Sequence, residues 1–143
     1  MDAPDTNETA ARLRRSVTRL NRRLRQNALG GISPAQASML AVIENLDRPS
    51  LGDLAEKEQI QPPSVTRMVR TLEEAGYVST CTDPDDRRCT RVSITAGGRR
   101  ELTTIRQRKT QFLESRLQSL SVADQCRAAE LASLLEQLLE VDR

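Results

Sequence analysis

At Gly76 the apolar period of this chain changes from that of a helix to that of a strand, so the fold must pass from a helix directly into strands. Before the glycine, Val65, Met68, Val69 and Leu72 fall at i, i+3, i+4 and i+7, the buried stripe of an amphipathic helix. Gln61-Pro62-Pro63-Ser64 opens that helix and Gly76 closes it, which makes it about 14 residues, or roughly 20 Å, long. Ser64, Thr66, Arg67, Arg70 and Thr71 are left on its outer side. After the glycine, Tyr77-Val78-Ser79-Thr80-Cys81-Thr82 and Cys89-Thr90-Arg91-Val92-Ser93-Ile94 are rich in β-branched residues and read as strands. Between them Asp83-Pro84-Asp85-Asp86-Arg87-Arg88 is a turn with two adjacent cations, so the helix runs into a hairpin with a charged tip.

The punctuation on either side supplies the remaining elements. A first helix is predicted from about Thr6 to Asn27, with Leu13, Val17, Leu20 and Leu24 forming a narrow seam. Gly30-Gly31 stops it. Ser33, Pro34 and Gln36 make a capping box for a helix to about Leu46 that buries Met39, Leu40, Ile43 and Leu46. After the turn Asp47-Arg48-Pro49, Ser50 and Asp53 cap a short helix through Lys57 that buries Leu54 and Ala55. Beyond the hairpin, Thr95 caps a helix from about Ala96 to Leu120 with Leu102, Ile105, Phe112, Leu113 and Leu117 inward. Ser121 and Asp124 cap the last helix, which ends near Val141 and carries the stripe Leu131, Leu134, Leu135, Leu138 and Leu139.

The expected fold is therefore mainly α (α+β), in the order α-α-α-α-β-β-α-α. Two short helices, a third helix and a charged hairpin make a winged helix-turn-helix at residues 33–98. Residues 1–32 are expected to form an N-terminal dimerisation helix and 99–143 C-terminal dimerisation helices, all in one structural unit.

Composition removes most other classes. A chain of 143 residues, 37% hydrophobic and 29% charged, is about one soluble domain. The apolar stretch Met39–Ile43 is far too short to cross a bilayer, and Met1-Asp2-Ala3-Pro4-Asp5 is acidic and polar, so a cytoplasmic location is expected. The chain has no His, which removes His-dependent acid–base triads and His metal sites. Cys81, Cys89 and Cys126 have no metal-ligand spacing. No enzyme, no metal and no cofactor is expected. One Tyr, one Phe and no Trp argue against a single-strand binder, which needs aromatic platforms.

Net charge, only +2, announces no partner, but its distribution does. Of 22 cations all but Lys57 and Lys109 are Arg, whose planar fork suits phosphate and guanine, although a GC-rich genome gives the same bias. A polar helix face with two Arg is on its own an ordinary solvated surface. Its position after a helix pair and before Arg87-Arg88 points instead to the major groove of duplex DNA, where base edges are distinguishable.

These residues resemble the MarR (multiple antibiotic resistance) family of regulators. The matching residues are Leu54-Ala55, the run Ser64 to Val78, and a wing signature from Asp86-Arg87-Arg88 to Ile94-Thr95, ending at Gly98. The resemblance implies that Pro63, Ser64, Thr66, Arg67 and Arg70 lie on the recognition helix. It also implies that Arg88, held by Asp86, enters the minor groove with Arg87 on a nearby phosphate. Narrow A·T-rich minor grooves attract Arg physically. Many relatives carry a cation where this chain has Thr80, so one wing contact with the backbone is expected to be weaker.

Neither terminal seam can be buried by a lobe of about 65 residues alone, so Leu13, Val17, Leu20 and Leu24 are expected to pack with Leu131, Leu134, Leu135 and Leu138 across a homodimer. An intramolecular antiparallel pair is the alternative. Two recognition helices would then stand roughly 34 Å apart on a pseudo-palindromic operator. The cysteines of the two wing strands read as small apolar fillers rather than a redox pair. The arginines around the first helix read as cations flanking a dimer helix, not as a membrane anchor. The expected function is a homodimeric, double-stranded-DNA-binding repressor, with release by a small-molecule effector as a further family habit. The alternative is a winged-helix protein-interaction module that does not read DNA.

Overall fold

The structure, a computed structural model, describes residues 4–141. Residues 1–3 and 142–143, the outer ends of the two segments expected to dimerise, lie outside the described residues. The elements are α1 (Thr6–Ala28), α2 (Pro34–Asn45), α3 (Leu51–Glu58), α4 (Pro62–Glu74), β1 (Val78–Thr82), β2 (Thr90–Ile94), α5 (Ala96–Gln118) and α6 (Val122–Glu140). Their order is the predicted one, and β1 and β2 form a two-stranded antiparallel ribbon.

Local chemistry sets the ends. Ser33 with Gln36 and Ser50 with Asp53 each form a complete capping box. Gly76, at φ 81°, takes the left-handed conformation past α4. The Tyr77 N–H then donates to the Leu72 carbonyl, so Tyr77 finishes the helix and β1 starts one residue later than predicted. Cys89 is likewise lost to β2 because its N–H closes the hairpin turn on the Asp86 carbonyl. α5 stops at Gln118 because the Ser119 and Leu120 amides fall back to the carbonyls three residues earlier.

The described residues form two compact units, 28–107 and 4–27 with 108–141. In the first, Met39, Leu40, Ile43, Leu54, Val65, Val69, Leu72, Val78, Val92 and Leu102 make one core. The α4 stripe enters it as expected, with Met68 half-buried at its margin, and Leu46 is also only half-buried. Ala28, Ile32 and Ile105 make a smaller cluster.

In the second unit the apolar seams stay largely open. Val17 is 46% exposed, Leu134 55% and Leu138 59%, while Leu13, Leu24 and Leu135 are half-buried. The inward set expected of α5 holds as core for Leu102 and Ile105; Phe112, Leu113 and Leu117 are only half-buried.

Gly98 joins helix and hairpin at close quarters. A Cβ there would run into the Tyr77 carbonyl oxygen and lie 2.8 Å from Ile94 Cγ1. That carbonyl is pinned by the Thr95 N–H at 3.0 Å and cannot yield freely. Gly98→Ala should therefore destabilise by about 1–3 kcal/mol through overpacking, although alanine is the better helix former. A thermal melt checks this, and an unchanged midpoint would show that the backbone can shift.

Candidate nucleic-acid interface

The outer side of α4 is made of side chains rather than backbone donors. A helix N-terminus ordinarily offers free N–H groups to an anion. Here Pro62 and Pro63 have none, and the Ser64 and Val65 N–H groups both donate to the Gln61 carbonyl. Pro63, Ser64, Thr66, Arg67 and Arg70 are all exposed. The Thr66 hydroxyl donates to the Pro62 carbonyl at 3.1 Å, which leaves its oxygen free to accept. Arg67 and Arg70 form no ion pair with any described carboxylate, so their guanidinium groups are uncommitted.

The hairpin carries its cations at the tip and its anchors at the base. At the tip, the Arg88 N–H and Nε–H donate to Asp86 Oδ1 at 3.1 Å each, and Nη2 to Oδ2 at 3.4 Å. Those bonds lower the Asp86 pKa and hold an Arg88 side chain that is 91% exposed. Arg87 beside it is exposed and pairs with no described carboxylate.

At the base, Asp83 is nearly buried and was read from the sequence only as a turn residue. Its Oδ1 accepts the Asp85 N–H and its Oδ2 accepts Arg91 Nε at 2.7 Å. Arg91 reaches on to the Arg48 carbonyl at 3.3 Å and Asp53 at 3.6 Å, and the Val92 N–H donates to the Pro49 carbonyl. The hairpin is thus tied to the turn before α3. A second tie runs to α4: Glu73 Oε1 accepts both the Thr80 N–H at 3.0 Å and its hydroxyl at 2.8 Å. Thr80, where the resemblance predicts a cation, joins the hairpin to the outward-facing helix.

The cysteine reading needs correcting at one position. Cys81 is exposed and accepts a 3.3 Å contact from Arg48 Nη2, so it is no apolar filler. Cys89 is half-buried, and the register sets Arg91, not Cys89, opposite Cys81. Among the described residues no cluster suits a metal ion.

The anchor has a pH signature. Asp83 is held below the ordinary carboxylate value, first by the Asp85 N–H and then by the Arg91 guanidinium; Asp53 is lowered chiefly by the Ser50 N–H and hydroxyl. A depressed carboxylate contributes stability above its unfolded pKa of about 3.9, and the contribution fades as pH falls through the folded value. The melting-point gap between the natural chain and Asp83→Asn should hold steady from about pH 8 to 5 and narrow below about pH 4. A gap unchanged down to pH 3 would remove the ion pair from the account.

Comparison with known proteins fits this geometry. The MarR family model matches residues 32–90, which span α2, α3, α4, β1 and the hairpin tip. An HTH-type transcriptional regulator of Mycobacterium tuberculosis is 30% identical over 132 residues, covering 92% of each chain. The chain belongs to the MarR family. Its fold is that of solved transcriptional regulators: one from Thermotoga maritima superimposes with a TM-score of 0.79 at 23% identity, covering 92% of this chain and 96% of that one. A mutant of Staphylococcus aureus MepR, bound to an oligodeoxyribonucleotide, superimposes with a TM-score of 0.71 at 19% identity, covering 91% and 97%. In MarR terms α3 and α4 are the helix-turn-helix and β1–β2 the wing. Among the described residues no helix is long and apolar enough to cross a membrane.

Proposed function

We infer that this MarR-family regulator is a homodimer that binds a pseudo-palindromic duplex operator and represses by occupying it. One observation carries the reading: uncommitted Arg67 and Arg70 on α4 stand on an element tied by Glu73 and Thr80 to the wing that presents Arg88. Residues 33–98 form the reading lobe; 1–32 and 99–143 dimerise through the α1 and α6 seams. Pro63, Ser64 and Thr66 are small enough to let α4 approach base edges, Arg67 and Arg70 reach guanine or phosphate, and Arg88 enters the minor groove beside Arg87. The oligodeoxyribonucleotide bound by a mutant of MepR, a protein of the same fold, supports DNA as the partner. Occupancy alone suffices for repression and needs no catalysis. The site of action is the cytoplasm, and release by a small-molecule effector completes the proposed cycle.

The test is to recover an operator from sheared genomic DNA retained by the protein and to titrate it by fluorescence anisotropy across salt. Several neutralised phosphates per protomer should make log K fall steeply with log salt, by about 0.9 per phosphate. A flat dependence would remove DNA reading and favour a docking module.

A further inference from the structure

Residues 9 to 43 contain no Asp or Glu, and the same stretch carries seven arginines, all between Arg12 and Arg25 on α1. Every one is exposed, and none pairs with a described carboxylate. Arg12, Arg15, Arg19 and Arg22 recur at steps of three and four, with Arg23 four residues beyond Arg19, so they form one row about 17 Å long. The seam Leu13, Val17, Leu20 and Leu24 lies on the other side of the helix.

Like charges at these steps repel and destabilise a helix by a few tenths of a kcal/mol per pair. An ordinary solvated face interleaves acids to offset that. Arg-rich composition does not explain the row, because a chain of net +2 gathers seven uncompensated charges here and is net acidic elsewhere. A bilayer fits poorly. With no aromatic on α1, the seam would have to insert, and the row on the far side would then point away from the headgroups. A stiff polyanion lying along the row fits well, since duplex DNA offers a charge per about 1.7 Å and Arg binds phosphate with a two-pronged fork.

We propose that the arginine row of α1 is a second, sequence-independent binding surface for the phosphate backbone of duplex DNA, separate from α4 and the wing. This stands whether or not the operator reading above does.

The experiment measures binding of a random-sequence 30-base-pair duplex by anisotropy across salt, for three forms of the full chain. In the row variant Arg12, Arg15, Arg19 and Arg22 become Gln, which keeps helix propensity; in the reading-face variant Arg67 and Arg88 become Ala. The row variant should lose about tenfold or more in affinity, with the log–log salt slope reduced by roughly 3 to 4, one per lost phosphate contact. Lys at the four positions should restore the slope. The reading-face variant should also lose some random-duplex affinity, because Arg67 and Arg88 reach phosphate, but less than the row variant, and it should keep the row's share of the slope. Equal binding by the row variant and the natural chain overturns the proposal. So does an equal loss in both variants, which would mean one continuous surface. Row-dependent binding to phosphatidylglycerol vesicles but not to duplex assigns the row to membranes. Dissociation of the row variant's dimer in sedimentation assigns it to acids of a second copy.

Discussion

Replacing Arg88 with alanine is expected to weaken operator binding by about 1–3 kcal/mol, a factor of roughly 5 to 150, while leaving the melting curve in place. The two halves of that result have separate causes. Arg88 is 91% exposed and its partner Asp86 48%, and an ion pair so open to water adds little to folding. Affinity is different, because a narrow groove concentrates negative potential where the fork would sit. Asp86 makes three contacts with Arg88 and confines it to the tip, so less side-chain entropy is lost on binding. Arg88→Lys separates charge from shape: it should recover part of the salt slope and little of the preference for A·T-rich flanks. Asp86→Ala should weaken binding less than Arg88→Ala. Full affinity in Arg88→Ala would sink the wing assignment.

Much of this arrangement could be seen in the residue pattern. The α4 stripe at i, i+3, i+4 and i+7 said which side faces out, and two capping boxes with a glycine placed the helix ends within a residue or two. Periodicity speaks to one element at a time, however. The contacts that fix the wing join positions in different elements: Arg91 to Asp83 and Arg48, Thr80 to Glu73. Nothing in their local spacing distinguishes Asp83, which anchors, from Asp85 and Asp86 beside it. A cation inside a β-branched strand was the available hint for Arg91, because a half-buried guanidinium needs a partner. The Cys81 reading failed for a related reason: alternation gives a face, but whether that face is covered depends on what packs there.

The larger effect is expected from the last helix. Leu134→Glu with Leu138→Glu should raise the dimer dissociation constant at least about 100-fold and lower operator affinity by a similar factor or more. These leucines lie one turn apart on α6, are 55% and 59% exposed, and belong to neither core cluster, so the core of residues 28–107 should survive their loss. Burying a leucine is worth about 1.5–3 kcal/mol, and a twofold interface counts each substitution twice. Desolvating the new carboxylates adds to the loss. Operator binding suffers beyond the dimer constant itself, because a lone protomer engages one half-site without the effective concentration that a tethered partner supplies, a gain of about 10²–10⁴. Sedimentation at micromolar concentration and anisotropy against the recovered operator read the two effects separately. A variant that stays dimeric would move the interface elsewhere on the chain, and one that becomes monomeric with natural affinity would show that a single lobe reads the whole site.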